Sequence, residues 1–501
     1  MEQVKKRLFY VFLLVQAFLW VLISLTRQIA SVDAMEAVAW GDLISLGTNK
    51  HPPLSGWLMG IFYNLFGQHD IAIYVLGEVC IVVGLIFVYK LAKYFLSEEK
   101  AMCSAMIMSI CFYYTYHTYI NNYNCNIISM GLWPVIAYYF YKSVKENKIK
   151  DWVIFGITAG LGVLAKYQVV LLFMAFFFYL VFFDRKQLKQ KGLYIASLFG
   201  ILTILPHAIW LYKTDFFSLI YIMSRTEVSS GNTPSFLLPF GRIIFPIKFY
   251  LNQIMAILPC VALYLILALK EKNISVNKSS ENLPEKVFIL LVGLLPIFIL
   301  GATGAISNSR VIGAWGSTML SYIGLILFYF FPIKFSEKTF DYFIKWLYAI
   351  VIMWVVGMGI FAVFQTQSDI SYPKVKIMSD FDNIWAKETN NAELKYVGGN
   401  LDNTFQFRLY NSQHPIVILE TFGYKNPWIN HEDVLKSGAI IMFNKKQIDK
   451  NININGIITD YVTLLPKDAN FELKKYTYKI CNVIGKCNEN ILYYSIVKPA
   501  K

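Results

Sequence analysis

The chain has 501 residues, 56% of them hydrophobic and only 16% charged, with a mean hydropathy of +0.48. Soluble proteins are about 25% charged, so this composition excludes an ordinary soluble domain and places most of the chain in lipid. The net charge of +14 then matters through where it falls rather than through its sum, and we expect no nucleic-acid partner.

The first seven residues, MEQVKKR, precede an apolar run from Leu8 to Leu25. This run is longer than the core of a signal peptide and no small-residue cleavage site follows it, so it reads as a retained anchor. A membrane-crossing helix needs about 20 apolar residues. By that measure the chain shows apolar spans near 8–28, 71–95, 102–119, 126–142, 152–165, 168–183, 193–212, 243–269, 287–304, 311–331 and 340–365. The expected fold is therefore a polytopic α-helical membrane protein of about 11–13 transmembrane helices. Leu54–Phe66 reads as a shorter helix lying along the interface.

The connections alternate in character. Lys142–Lys150, Asp184–Lys191, Lys270–Lys286 and Lys334–Lys345 are rich in lysine and fall on the side of the N-terminus, which the positive-inside rule makes the cytoplasm. The Asp33–Pro53 loop, the turns at Lys166 and Arg310, the long loop Lys213–Arg242 and everything after Gln365 fall on the other side. The expected domains are thus 1–365, in the membrane, and 366–501, outside the cytoplasm. In the second, short β-like runs at Leu394–Val397, Ile416–Leu419, Ala439–Phe443, Phe471–Tyr478 and Ile491–Val497 alternate with polar segments, as in a small α/β domain. It carries no glycine-rich phosphate loop and no nucleophile constellation, so a lid or scaffold for an acceptor is the reading preferred over a second active site. Of the seven cysteines, Cys80, Cys103, Cys111, Cys125 and Cys260 fall in apolar spans and read as small core residues. Cys481 and Cys487 lie in the tail, where an oxidising compartment would let them pair. No spacing resembles a zinc site.

The stretch Ser31–Trp57, SVDAMEAVAWGDLISLGTNKHPPLSGW, gathers the chemistry. Asp33 stands just past the first span, and Glu36 sits one turn on, so both point the same way if Val32–Leu46 is helical. Lys50 and His51 then precede Pro52-Pro53, which cannot continue a helix. Carboxylates, a cation and a rigid turn at a membrane surface suit chemistry on a charged lipid head group; an ordinary polar loop is the alternative. Lys166 interrupts an apolar stretch, where a cation must face an interior, a cavity or an interface; a snorkelling lysine is its bland reading. Arg310 stands among Ser307, Asn308 and Ser309, and a guanidinium can hold a phosphate with two bonds. His117, Asn121, Asn122, Asn124 and Asn126 share the outer side, where they could bind a sugar or cap the next helix. Arg225, Glu227 and Arg242 lie in the long outer loop, read as a gate for the acceptor.

Asp33, Trp40, Gly41 and His51-Pro52-Pro53-Leu54 resemble the signature D-E-A-x-x-x-x-W-G…D-H-P-P-L of the dolichyl-phosphate-mannose-protein mannosyltransferase-like superfamily. These are GT-C-type, polyprenyl-phosphate-sugar-dependent glycosyltransferases, and they include the aminoarabinose transferase that modifies lipid A. Gly160–Tyr167 (GLGVLAKY), Leu205–Trp210 (LPHAIW), Tyr250–Gln253 with Pro259, and Arg310 to Trp315 resemble further family segments in the same order. Ala34 and Met35 stand where the family usually has a second acid, and Lys50 where many relatives carry aspartate.

The resemblance implies a membrane glycosyltransferase that moves a sugar from a polyprenyl-phosphate carrier, such as undecaprenyl phosphate, to lipid A, another envelope glycan or a protein. It assigns the base that takes the acceptor's proton to Asp33, with Glu36 as the second candidate. Lys50, His51, Lys166 and Arg310 would hold the donor phosphate, and Tyr167, Asn126, Arg225 and Arg242 the sugar and acceptor. No metal and no cofactor beyond the lipid-linked donor is expected. A monomer in a bacterial inner membrane is the expected setting. The competing readings are a transporter or flippase for lipid-linked sugars, which would usually show repeated halves, and a diphosphate-dependent glycan polymerase or ligase.

Overall fold

The computed structural model describes residues 2–42, 45–216, 218–220, 239–271, 283–364, 368–418, 429–443 and 472–500. Its helices are α1 (Glu2–Ser24), α2 (Val32–Gly41), α3 (Leu54–Leu65), α4 (Ile71–Ala92), α5 (Glu98–Met106), α6 (Tyr116–Asn121), α7 (Cys125–Glu146), α8 (Ile149–Ala165), α9 (Val170–Phe183) and α10 (Lys191–Lys213). They continue with α11 (Gly241–Glu271), α12 (Leu283–Ile306), α13 (Ile323–Phe330), α14 (Glu337–Phe364), α15 (Ser368–Ser371), α16 (Lys374–Thr389), α17 (Leu401–Tyr410) and α18 (His431–Ser437). Among the described residues, seven helical stretches are long and apolar enough to cross a membrane: α1, α4, α10, α11, α12, α14, and Gly313–Phe330, a 3₁₀ segment running into α13. The chain is a multi-pass membrane protein, and every expected apolar span contains helix.

One span is broken. Where the sequence suggests a helix over 102–119, α5 ends at Met106 and two short 3₁₀ turns lead to α6. Hydroxyls take up carbonyls of the irregular stretch that leads into α6: Thr115 donates to those of Cys111 (3.1 Å) and Phe112 (3.2 Å), and Thr118 to that of Tyr113 (2.8 Å). The five cysteines assigned to the core are buried as free thiols.

The chain divides into two compact units. The first comprises 1–23, 46–55 and 74–357, and in it α8 packs along both α7 and α10. The second comprises 24–45, 56–73 and 358–501. The tail therefore packs with two segments from near the N-terminus, the one containing α2 and the one containing most of α3.

The second unit holds a five-stranded sheet in the order β2-β1-β3-β5-β4, with β1 Tyr396–Gly399, β2 Ile416–Ile418, β3 Ala439–Phe443, β4 Lys474–Cys481 and β5 Cys487–Val497. β1 pairs in parallel with β2 and β3, and β5 antiparallel with β3 and β4. Each strand overlaps one of the β-like runs in the sequence. Val434 of α18 packs with Tyr396, Ile441, Phe443 and Val497. Phe381 of α16 meets Phe407 of α17 and the rings of Tyr476 and Tyr494. Strand side chains alternate between faces, so Tyr494 and Val497 lie on opposite ones and helices cover both. Gly399 ends β1 with φ +111°, and a Cβ there would fall 2.0 Å from the Met442 carbonyl oxygen, so only glycine allows the turn into α17. Cys481 and Cys487 form a disulfide across the β4–β5 turn.

Candidate active site

In the second unit, Ser31 caps α2, its hydroxyl accepting from the Ala34 N–H at 3.4 Å. Asp33 falls in the first turn, where a negative charge is favoured by the helix dipole, typically by about 0.3–1 kcal/mol. Its side chain is exposed. Glu36, expected to share that direction, is instead 2% exposed. Residues three apart on a helix are offset by about 60°, and the boundary between solvent and core falls between these two. Of the two carboxylates, Asp33 is the one open to solvent.

In the first unit, the turn that carries Lys50 and His51 is built on Thr48, a residue the sequence reading passed over. The Thr48 hydroxyl oxygen accepts from the N–H groups of Lys50 (3.2 Å) and His51 (2.9 Å), and the hydroxyl donates to the His51 carbonyl (2.8 Å). Such side-chain turns fix the backbone locally, and the two prolines carry it into α3.

The turn is held from α10. His207 Nδ1 lies 2.6 Å from the Leu46 carbonyl oxygen and its Nε2 2.7 Å from the Tyr167 hydroxyl. A carbonyl can only accept, so Nδ1 donates and Nε2 accepts the tyrosine's proton. The rings of Tyr167, His207 and Trp210 stack in sequence at 5.8 and 5.9 Å. Ser218 adds a bond to the Thr48 carbonyl. Thus three segments far apart in sequence, around 48–51, 166–167 and 207–210, meet in one network. A lone histidine inside an apolar span was the available clue to His207.

Lys166 stands at the C-terminal end of α8, outside the helical backbone. Its ammonium donates to Asn126 Oδ1 and lies 5.9 Å from the centre of the Trp315 ring. Asn126 is buried at the start of α7, while Asn124 does the capping, its Oδ1 accepting from the N–H groups of Asn126 and Ile127 at 3.0 and 3.1 Å. The segment that carries Trp315 is pinned in turn: Gln168 Nε2 donates to the Trp315 carbonyl (3.0 Å), and Tyr113 and Gln253 donate to the Gly313 carbonyl (2.8 and 3.0 Å). Arg310 is exposed in the irregular stretch before it, and Arg242 is exposed in the first turn of α11. Asn308 of that stretch packs against Gly241, the first residue of α11. His117 is bonded to Asn121, Nδ1 to Nδ2, at 3.0 Å. Arg225 lies outside the described residues. Asp33 and Glu36 thus belong to one unit, and Lys50, His51, Asn126, Lys166, Tyr167, Arg242 and Arg310 to the other.

Residues 50–210 match the family described as dolichyl-phosphate-mannose-protein mannosyltransferase. That segment runs from Lys50 to Trp210 and contains Asn126, Lys166, Tyr167 and His207. The fold matches the crystal structure of ArnT from Cupriavidus metallidurans bound to undecaprenyl phosphate, with a TM-score of 0.60, 10% identity, and 98% of this chain and 97% of that chain covered. The apo structure of the same protein matches with a TM-score of 0.57, 10% identity and 98% of each chain covered. Comparison with curated proteins finds no match. The chain has a GT-C fold.

Proposed function

We propose that the protein transfers a sugar from a polyprenyl-phosphate carrier to an acceptor of the bacterial envelope, lipid A or another glycan or lipid. The single observation that carries this reading is the placement of Lys166. It lies beside Tyr167, which joins through His207 to the Thr48–His51 turn, so a cation and a rigid polar turn are held in one network. The relative whose fold the chain shares was crystallised with undecaprenyl phosphate, and we take the same lipid class as the carrier here.

In this reading the phosphate of the donor is held by Lys166, Arg310 and the Lys50–His51 turn. Asp33 accepts the proton of the acceptor hydroxyl as its oxygen attacks the anomeric carbon. The bond from that carbon to the phosphate oxygen breaks, and the polyprenyl phosphate leaves with the electron pair, its charge stabilised by the cations. A single displacement inverts the anomeric centre. Tyr167, Asn126 and Arg242 are assigned to the sugar and acceptor.

The test is transfer by the reconstituted protein from a defined undecaprenyl-phosphate sugar to purified lipid A and to other envelope glycans. Loss of a general base typically costs about 10²–10⁴ in rate, so Asp33→Asn is expected to fall in that range while keeping donor binding. A well-folded Asp33→Asn protein with near-normal transfer would remove Asp33 from the role.

A further inference from the structure

We infer that Arg408 and Tyr410, on the last turn of α17, are positioning residues through which the C-terminal domain sets the placement of Asp33. The inference rests on the reading of Asp33 as the base.

Helix α2 has only ten residues. Isolated helices shorter than about 12–15 residues are marginal even with favourable sequences, so its orientation must be imposed by what it packs on. The C-terminal domain grips it at both ends. Before α2, the N–H groups of Gln28 and Ile29 donate to the Asp369 carbonyl at 2.8 and 3.1 Å, and Arg27 Nη2 donates to the Asp369 carboxylate at 2.7 Å. The Ala30 N–H donates to the Tyr410 hydroxyl at 2.7 Å. After α2, Arg408 Nε donates to the carboxylate of Asp42, its C-cap, at 2.5 Å.

Arg408's side chain is 9% exposed, and a cation so enclosed depends strongly on its partner. The same end of α2 is locked by backbone contact. A Cβ on Gly41 would lie 2.6 Å from the Cα of Gly60 in α3, and one on Gly60 2.7 Å from the Gly41 carbonyl oxygen. α17 is itself anchored to the sheet, since the Asn400 N–H donates to the Met442 carbonyl at 2.8 Å as the chain leaves β1. A path of direct contacts therefore runs from the sheet through α17 to both ends of α2. Arg408 touches Asp42 and not Asp33, so its effect must pass through the helix. A base works only within hydrogen-bond reach of its proton, and misplacement by about 1 Å can cost about 10²-fold in rate.

The experiment measures transfer kinetics of the full-length reconstituted protein carrying Arg408→Ala, Arg408→Lys, Tyr410→Phe, and the charge exchange Asp42→Arg with Arg408→Asp. Each of the first three is also combined with Asp33→Asn. Arg408→Ala is expected to lower kcat about tenfold or more while changing the KM for the donor less than about twofold, because the donor-phosphate residues lie elsewhere. The charge exchange is expected to recover part of that loss. In the Asp33→Asn background Arg408→Ala should cost nothing further, since the group it positions is gone; a merely structural weakening would cost as much again. If Arg408→Ala fails to fold, Tyr410→Phe, which loses a single hydroxyl, carries the same comparison. Near-normal transfer by Asp33→Asn would overturn the base assignment itself. A slow Asp33→Asn together with an unchanged kcat, or a fully additive loss, in the α17 variants would overturn the positioning role alone.

Discussion

Lys166 is the residue whose chemistry the fold defines most closely. Its ammonium is oriented by Asn126 and by the face of Trp315. A hydrogen bond to a charged group contributes about 1.5–3 kcal/mol. Lys166→Ala is therefore expected to lower kcat/KM for the donor by roughly 10- to 100-fold. Arg310→Ala should act in the same direction, and Arg310→Lys should recover only part of the loss, because an ammonium cannot reproduce a two-bond fork. Lys50→Ala should cost less. Titrating the polyprenyl-phosphate donor against each variant separates these cases. Unchanged donor dependence and maximal rate in both Lys166→Ala and Arg310→Ala would end the phosphate assignment.

Elements in this chain differ in how plainly the sequence declares them. Long apolar runs such as those of α11 and α14 are unambiguous because crossing a bilayer needs length and hydropathy together, and the strands of the tail follow its β-branched and aromatic runs. The break after α5 was hidden, because it falls inside an otherwise apolar run. Motif residues such as Lys166 and Tyr167 could be singled out, but what grips α2 could not. Arg408 and Asp42 lie 366 positions apart, and no local pattern links a tail arginine to a helix end near the N-terminus. The tail also holds a pH-sensitive tie. Glu388, in the last turn of α16, pairs with Lys474 of β4 at 2.7 Å and Lys498 beyond β5 at 3.0 Å. Hydrogen bonds from these lysines hold its carboxyl down, from an ordinary 4.5 to about 2. Because the folded value is the lower one, the stabilisation is present above pH 4.5 and is lost as pH falls toward 2. Its size for partly solvated pairs is about 1 kcal/mol. Thermal midpoints of the detergent-solubilised full-length protein should show Glu388→Gln below the wild type at neutral pH, with the gap shrinking by half or more as the pH drops to about 3. A gap of constant size across that range would show that the ion pairs contribute nothing.

On the scale of the whole molecule, the helical unit sorts its charges to two ends. Lys5 pairs with Glu99 at 2.5 Å and Glu337 at 3.7 Å, bringing the N-terminus together with the starts of α5 and α14. Tyr94 donates to Glu146 at 2.9 Å, Lys145 pairs with Glu285 at 3.6 Å, and Asn147 donates to Gln190 at 3.2 Å. The lysine-rich connections at 142–150 and 184–191 therefore share one end with the ends of α4 and α7 and the start of α12. Helix α8 starts at this end, beside Asp151, and finishes at Lys166; α10 starts there at Lys191 and carries His207 near its far end. The candidate phosphate residues consequently lie at the opposite end of the same helices. Positive charge near membrane helices is retained in the cytoplasm, and on that rule we propose that Lys166 and its network face the outside. Helix α14 begins at the lysine-rich end, at Glu337, and by the same rule we propose that the tail that follows it lies outside the cytoplasm. A disulfide at Cys481–Cys487 suits that compartment. An alkaline phosphatase fused after Lys501 is thus expected to be active, because that enzyme needs export, and a reporter that works only in the cytoplasm is expected to be silent at the same position. A bright cytoplasmic reporter there would reverse the membrane orientation of the candidate site and leave an exported lipid-linked donor without access to Lys166.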